Sequence, residues 1–269
     1  MQVRWELLTP TDFQALAKNE KVCVLPVGSL ERHGEHLPFG TDGLTAHRIA
    51  VGAAEREPCV VFPPYWFGQL HEAACFTGTV NFNQRLLLEI LETLLGEIAS
   101  NGFEKILILN GHGGNTNFLQ YFAMSQCDRE VPYTLYVANT GGERFKAVKW
   151  ESGGGHADER ETSMMMAIAP ESVKMEYHRY KEPIEPLNDT SSLGAYSGYW
   201  WYAQYPDHVA GCPSLASREK GENALEAAIA DTAELIRKIK EDTLLPALRK
   251  EFYEKLRHNR LTGSTSISR

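Results

Sequence analysis

Short apolar runs alternate with longer amphipathic stretches along this chain of 269 residues. Four of the runs are rich in β-forming residues and bounded by Gly, Pro or Asn, as buried strands are; they cover 22–27, 59–63, 105–110 and 133–139. Apolar residues at helical spacing predict helices over 84–100, 117–128 and 219–240. The alternation predicts an α/β fold, a three-layer α/β/α sandwich with a mostly parallel central sheet, whose sites lie at the carboxyl ends of the strands.

The regular pattern stops between residues 182 and 212. Three prolines interrupt this stretch, and six Tyr and Trp residues fall within 196–205. Long loops without regular structure usually have a function, and flat aromatic side chains suit either stacking on a small ring or a contact between subunits. We expect a single domain over 1–260 and a disordered polar tail over 261–269.

Composition narrows the class of protein. Hydrophobic residues make up 43% of the chain, which indicates a globular protein, and the net charge of −8 argues against nucleic acid or an anionic membrane as a partner. The chain shows neither a signal peptide nor an apolar stretch of membrane-spanning length, so we expect a cytoplasmic protein. Its five cysteines form no CxxC pair, and we expect reduced, mostly buried thiols.

The first cluster of chemically active residues follows the strand predicted at 22–27. Glu31 and His33 are two positions apart, and in extended backbone this spacing directs both side chains toward one metal centre. Asp42 can join them, because a carboxylate has two oxygens and can bridge two divalent ions. Each residue alone is typical of a solvated loop; together they indicate a metal site. His36 is interpreted as a supporting or structural residue, because Gly34 excludes a zinc-binding helix here.

The second cluster is NGHGGN at 110–115, where a predicted strand ends and a helix begins. His112 therefore lies at the carboxyl edge of the sheet, and the glycines around it allow close approach of a ligand. A dinucleotide-binding loop is the alternative, but it requires glycine at 116, where the chain has Thr116.

The third cluster is GGGHADERETSMMM at 153–166, in which His156 follows flexible glycines and precedes a predicted helix. Glu161 shares a helix face with Met164 and Met165, so an acidic side chain projects from a stripe that should be buried. Such a carboxylate needs a metal ion or a hydrogen-bonded partner, and a salt bridge with an arginine remains the alternative.

Three further residues are candidates for substrate contacts. His71 follows the second predicted strand and could line the same cleft, although a lone histidine is more often structural. Trp200 and Trp201 belong to the aromatic stretch. The sequence contains neither the nucleophile elbow GxSxG nor a P-loop motif.

Four stretches of the chain resemble the signatures of the creatininase (creatinine amidohydrolase) family. They are PVGSLERHGEHLPFGTD, NGHGGN, HADERETS and GCPSLASREKGE, in the family's order, and the resemblance spans residues 20–225. It implies a three-layer sandwich that holds two divalent metal ions per subunit, zinc, manganese or iron. It also implies a homo-oligomer, commonly a hexamer, and a small-molecule substrate.

The resemblance implies a role for each residue of the clusters. Glu31, Asp42 and His112 would bind one metal, His33 and the bridging Asp42 the other, and His156 matches the family's catalytic histidine. Creatininases proper have tyrosine and a metal-binding glutamate directly after the motif's histidine, where this chain has Gly113 and Gly114. Glu161 could supply the missing ligand or support the metal-binding residues without binding metal itself. His156 and Glu161 are the candidate catalytic residues.

The implied reaction is attack of a metal-bridging hydroxide on the carbonyl of a small cyclic substrate, followed by protonation of the leaving group by His156. The bond broken would be a C–N bond of an amide or lactam. Alternatives are C–C ring opening of an oxidised inositol, such as 3-dehydro-scyllo-inosose, and removal of a formyl group. A ligand-binding module without activity and a purely structural subunit are the non-enzymatic alternatives.

Overall fold

The computed structural model describes the backbone of residues 1–262 and the side chains of residues 1–258. Its helices and strands, labelled in chain order, are α1 (Pro10–Asn19), β1 (Val22–Val27), α2 (Thr41–Arg56), β2 (Val60–Val61), α3 (Gln84–Ser100), β3 (Lys105–Asn110), α4 (Asn115–Ser125), β4 (Thr134–Asn139), α5 (Glu143–Lys146), α6 (Glu159–Ile168), α7 (Trp200–Gln204), α8 (Arg218–Glu241) and α9 (Leu244–Thr262).

The strands form one parallel sheet in the order β2-β1-β3-β4. In the register of this sheet Val27 pairs with Asn110, and Asn110 with Asn139, so β1, β3 and β4 all end at one edge. Parallel neighbours in this order require crossover connections, which place helices on the two faces of the sheet. The loops that leave this carboxyl edge therefore start side by side.

Strand residues alternate between two buried faces. Val22, Val24 and Leu107 pack with α2 and α8, whereas Cys23, Leu25 and the residues facing them pack with α3 and α4. A strand directs successive side chains to opposite sides, so a run that is apolar at every position must be covered on both. The three-layer α/β/α sandwich predicted from the sequence is confirmed.

Helix boundaries follow local capping. Asn83 accepts the N–H of Leu86 and starts α3, and the predicted bounds 84–100 agree with the helix. Helix α4 begins at Asn115, two residues earlier than predicted, and ends at Ser125 in a short 3-10 turn. The strand predicted over 59–63 is shorter, Val60–Val61.

Two predictions about other features need correction. Only Cys23 and Cys59 are buried; Cys75 and Cys127 are exposed and Cys212 is half-buried, although all five are free thiols. Cys75, Cys127 and Cys212 lie in loops and turns outside the two core clusters. Their position in the fold, and not the apolar character of the thiol, therefore decides their exposure. Helix α9 was not predicted and includes the first two residues of the predicted tail; the remaining tail, 263–269, lies outside the described residues. The helices described include none that is long and apolar enough to cross a bilayer.

Candidate metal centre

The carboxyl edge of the sheet supports a cluster of acids and histidines. The loop after β1 carries Glu31 and His33, the loop after β3 carries His112, and Asp42 lies in the first turn of α2. Two glycines let these segments touch: a Cβ on Gly28 would lie 2.2 Å from the backbone N of Gly43, and one on Gly111 would lie 2.5 Å from the carbonyl oxygen of Asp42. The close backbone packing holds the start of α2 between β1 and β3.

Asp42 lies at the centre of the cluster, with its two oxygens facing different imidazoles. Oδ1 is 3.2 Å from Nε2 of His33, and Oδ2 is 2.9 Å from Nδ1 of His112. Ser29 donates its hydroxyl to Oδ2 at 2.6 Å. The carboxylate is 4% exposed, so each of its oxygens has a buried polar neighbour.

Backbone carbonyls set the orientation of both imidazoles. The Nδ1 of His33 lies 3.0 Å from the carbonyl oxygen of Glu31, and the Nε2 of His112 lies 2.9 Å from that of Gln69. A carbonyl oxygen can only accept, so these nitrogens carry the protons in the neutral rings. The other nitrogens, Nε2 of His33 and Nδ1 of His112, then present lone pairs to the carboxylates, as ligand histidines do when a carbonyl holds the opposite nitrogen.

Glu161, in the first turn of α6, and His156, just before that helix, also lie beside the cluster. Oε2 of Glu161 lies 3.7 Å from Nε2 of His33 and 3.9 Å from Nδ1 of His156, and accepts the N–H of Ala157 at 2.6 Å. Nε2 of His156 lies 2.9 Å from the carbonyl oxygen of Arg32, which leaves Nδ1 directed at Glu161. The alternative for Glu161, a salt bridge with arginine, is not found: among the ion pairs of residues 1–258, its partners are these two histidines.

Negative charge dominates the cluster. Burial lowers the pKa of His33, but Asp42, Glu161 and Glu31 outweigh it and raise that pKa to about 10. The pKa of His112 is likewise raised well above its usual value, since the adjacent Glu31 and Asp42 outweigh the effect of burial. The two carboxyls respond in the opposite direction: burial raises the pKa of Glu31 and of Asp42, and the histidines more than reverse this.

The donor set fits divalent metal ions. Ligand atoms of Glu31, Asp42 and His112 lie within 4.8 Å of one another, as do those of His33, Asp42 and Glu161, with Asp42 common to both groups. In the part of the chain with described side chains, no lysine or arginine forms an ion pair with these three carboxylates. Buried carboxylates need a counter-charge, and nitrogen and oxygen donors of this kind suit zinc and manganese.

The cluster forms the floor of a cavity of about 830 Å³. Glu31, Asp42, His112, His156 and Glu161 line it. The candidate substrate residues from the sequence also border this cavity, although their sequence positions are far from the clusters; they are His71, Trp200 and Trp201. Polar side chains from the strand ends and from α4 add to the wall: Asn110, Asn117, Asn139, Thr116 and Thr140.

At position 114, where creatininases proper carry a glutamate, this chain has glycine, and a different acid lies in the space next to it. A Cβ on Gly114 would lie 2.8 Å from Oε1 of Glu72, so Glu72 occupies the space of a side chain at 114. Burial raises the pKa of this carboxyl, which belongs to neither group of ligand atoms. Glu161, not Glu72, is therefore the acid beside His33 and Asp42.

Sequence reasoning missed one residue of the cluster. His208 is 1% exposed, and its Nε2 lies 2.8 Å from Oε1 of Glu31. It is 177 positions from Glu31 and belongs to no motif, so only its place three residues before the GCPS stretch hinted at it. His36 points away from the cluster, with Nε2 2.9 Å from the hydroxyl of Thr162.

The chain is thus an α/β protein whose parallel sheet carries, at its carboxyl edge, a buried carboxylate–histidine cluster that could hold metal ions. The family model for creatininase, described as creatinine amidohydrolase, matches residues 6–236. The chain therefore belongs to the creatininase family and is a hydrolase.

Relatives with several activities resemble the chain. A 3-dehydro-scyllo-inosose hydrolase of Thermotoga maritima is 28% identical over 89% of this chain and 84% of its own length. A mycofactocin precursor peptide peptidase of Mycolicibacterium smegmatis is 33% identical, over 56% of this chain and 59% of its own. A creatinine amidohydrolase of Pseudomonas putida is 26% identical over 86% and 94%.

Solved structures agree on the fold. A structure of a candidate creatinine amidohydrolase from Bacteroides fragilis superimposes with a TM-score of 0.75 at 28% identity, covering 91% of this chain and 99% of that one. Creatininase structures at lower identity share the fold, and they include one described as the Zn-Zn type and one described as creatininase Mn.

Proposed function

We propose that the chain is a dinuclear metal-dependent hydrolase that opens a small, polar cyclic substrate at a ring carbonyl. The observation that carries this proposal is the convergence of two groups of ligand atoms, both containing Asp42, on the floor of a cavity large enough for such a substrate. Divalent ions bound there would lower the pKa of water and polarise a carbonyl oxygen.

The ligands divide between two ions. Glu31, Asp42 and His112 would hold one ion, and His33, Asp42 and Glu161 the other; Asp42 offers one oxygen beside His33 and one beside His112. In this arrangement Glu161 takes the role of the glutamate that creatininases proper carry at the position of Gly114. The carbonyls of Glu31 and Gln69 hold the two imidazoles so that their other ring nitrogens face Asp42 and would be available to a metal ion.

His156 is proposed as the residue that moves a proton. The carbonyl of Arg32 holds the proton of a neutral His156 on Nε2, so Nδ1 is free to accept a proton from the attacking water. The same nitrogen can then donate that proton to the leaving atom of the opened ring. Glu161, whose Oε2 lies 3.9 Å from Nδ1, would stabilise the protonated ring between these two steps.

The primary candidate reaction is cleavage of a C–N bond in a cyclic amide or lactam, as in the creatinine amidohydrolase of Pseudomonas putida that the chain resembles. His71, Trp200 and Trp201 are proposed to contact the substrate, because all three border the cavity above the cluster. The two indoles would cover the flat face of a small ring.

A second candidate, C–C ring opening of an oxidised inositol, has its own support. The cavity wall carries several amide and hydroxyl side chains, which can bond the hydroxyl groups of a carbocycle. Glycine at 114 departs from creatininases proper, and the relative from Thermotoga maritima, a 3-dehydro-scyllo-inosose hydrolase, aligns with 89% of the chain. Both candidates need the same cluster and differ only in the leaving atom.

The decisive experiment is a screen of metal-loaded protein against creatinine and other lactams, oxidised inositols and formamides, with elemental analysis of the same sample. We expect two zinc or manganese ions per chain and turnover of one class of substrate. Fewer than one tightly bound ion per chain, with no gain after metal is added, would leave a ligand-binding module as the better explanation. Metal binding without turnover of any of these classes would reject the proposed substrates.

The assembly and location expected from the sequence stay predictions. A homo-oligomer, a hexamer by resemblance to the family, is compatible with the exposed apolar side chains of the aromatic stretch and of α9. A cytoplasmic location agrees with five free thiols.

A further inference from the structure

His208 connects the aromatic stretch to the acid–histidine cluster. It follows α7 in the chain, and its ring lies between Phe76, with centroids 4.8 Å apart, and His156, with centroids 4.4 Å apart. Its side chain is 1% exposed, so every polar atom of the ring must find its partner inside the protein.

The two hydrogen bonds of His208 have a defined direction. Nε1–H of Trp201 lies 2.9 Å from Nδ1 of His208, and an indole can only donate, so Nδ1 accepts. A neutral imidazole then carries its proton on Nε2, which lies 2.8 Å from Oε1 of Glu31. Trp201 therefore donates to His208, and His208 donates to Glu31.

Because of these hydrogen bonds, the two oxygens of Glu31 have different partners. Oε1 accepts from His208, while Oε2 lies 3.1 Å from Nδ1 of His112 and faces the cluster. Rotation of the carboxylate would break the bond from His208. The ring thus holds Oε2 in the direction of the atoms that would share an ion with it.

The backbone at position 208 adds an independent observation. His208 has φ of +58°, in the left-handed region that glycine adopts without strain and that costs other residues about 1 kcal/mol or more. Trp201 reaches the same ring from α7, whose five residues follow a stretch of exposed tyrosines that includes Tyr196 and Tyr199. A residue kept in this conformation with both nitrogens bonded indicates that its side chain is needed there.

We propose that Trp201 and His208 are positioning residues that couple the aromatic segment, residues 196–205, to the metal affinity of Glu31. The inference rests on the proposed function, in which Glu31 binds a metal ion. Outer partners of ligand residues hold those ligands in the orientation the metal needs, and their loss typically weakens metal affinity about 10–100-fold. Because coupling is reciprocal, a bound metal also holds the aromatic segment in place, and contact with Trp201 strengthens metal binding.

The test compares two neighbouring tryptophans by titrating metal-free protein with Zn²⁺ against a chromogenic chelator. In Trp201→Phe an aromatic ring remains but the N–H donor is lost, and we expect the apparent Kd of one of the two bound ions to rise about 10-fold. Trp200→Phe is the matched control: Nε1 of Trp200 donates to the hydroxyl of Tyr196, so its loss should leave the Kd within about twofold of wild type.

Substitutions at 208 provide the second comparison. His208→Gly removes the ring at a position where glycine fits the backbone, so the variant should fold and still bind Zn²⁺ about 10–100-fold more weakly. His208→Gln keeps an N–H donor at about the reach of Nε2, and we expect it to restore part of the affinity. Circular dichroism of the metal-free variants verifies that each is folded before its titration is interpreted.

Fluorescence provides a readout of the reverse coupling. Zn²⁺ added to metal-free wild type should change the tryptophan emission, and this change should be smaller in Trp201→Phe and in His208→Gly than in Trp200→Phe. Equal Zn²⁺ affinity of wild type, Trp201→Phe and folded His208→Gly would overturn the inference and leave the proposed function standing. Wild-type protein that binds no Zn²⁺ tightly would overturn both.

Discussion

Asp42 is the residue on which the two halves of the cluster depend. Its oxygens lie 3.2 Å from His33 and 2.9 Å from His112, and no other residue belongs to both proposed ligand groups. The side chain comes from the first turn of α2, where the short reach of aspartate brings the carboxylate between the ends of β1 and β3. An amide at this position would keep the shape, but it has no negative charge and only one oxygen to offer a metal ion.

We expect Asp42→Asn to lower metal affinity by more than the roughly 10–100-fold that changes to outer partners cause, because both ions lose a negatively charged ligand. Elemental analysis after dialysis measures this, with activity on the substrate found by the screen as a second readout. Asp128→Asn changes an exposed carboxylate in the 3-10 turn after α4; this variant is the control and should retain wild-type metal content. Full metal content in Asp42→Asn would contradict the shared-ligand role.

We expect His156 to transfer protons during the reaction and not to bind a metal ion. Substitution by Gln removes the free Nδ1, so kcat should fall about 10²–10⁴-fold while metal content remains that of wild type. Elemental analysis and steady-state kinetics on one preparation separate these effects. Loss of an ion in His156→Gln would instead identify His156 as a ligand, a role that its place beside Glu31 and His33 also permits.

At the scale of elements, a half-buried lysine joins the sheet to the helix layer. Nζ of Lys105, at the start of β3, donates to the carbonyls of Ile239, Lys240 and Asp242, at 2.7, 2.8 and 2.7 Å. These carbonyls lie at the end of α8, where the helix has no further N–H groups to offer them. The positive charge of Lys105 also interacts favourably with the negative end of the helix dipole.

Lys105→Met should therefore lower the free energy of unfolding by about 2 kcal/mol, since it removes charge-assisted bonds to carbonyls that stay partly buried. Urea denaturation of metal-free protein measures this change without interference from metal binding. Lys238→Met removes an exposed lysine paired with Glu234 in the same helix and should change stability by less than about 0.5 kcal/mol. Equal effects of the two variants would contradict the capping role of Lys105.

At the scale of the whole molecule, part of the surface of α9 is left uncovered by the side chains of residues 1–258. Tyr253 and Arg249 attach this helix to the 3-10 turn and loop that follow α4, through the carbonyls of Gln126 and Val131. Large apolar side chains are exposed on α9: Leu244, Leu248 and Phe252 are one helical turn apart, and Leu245 is exposed beside Leu244. Contiguous apolar surface of this kind marks a contact with another protein, and identical subunits are the usual partner.

We expect sedimentation velocity to find the wild type as a homo-oligomer and Leu248→Glu as a smaller species, because a buried charge opposes association. Lys250→Glu changes charge on a different face of α9 and should keep the wild-type sedimentation coefficient. Wild-type protein that sediments as a monomer at micromolar concentration would reject the predicted oligomer. A shift caused by both variants would place the contact elsewhere.

Much of the fold could be predicted because its signals are local. The bounds of α3 follow from Asn83 and from apolar spacing, and the strand at 105–110 follows from a run of apolar residues that ends in Asn110. Strand β2 was predicted too long, since only two of its residues reach the register of β1. Helix α9 was not predicted because its sequence is largely polar, and the few side chains that attach it to the rest of the protein form no clear apolar pattern.

The sequence by itself determined which donors are present and which family the chain resembles, because both depend on short motifs whose residues are neighbours. Only the tertiary structure decided how these donors meet. It brings Glu161 beside His33 across 128 positions and fills the space at Gly114 with Glu72. It also bonds His208 to Glu31 across 177 positions. His208 has a left-handed backbone conformation that no periodicity of the sequence predicts. Such contacts arise from the packing of loops at one sheet edge, which is a property of the whole fold.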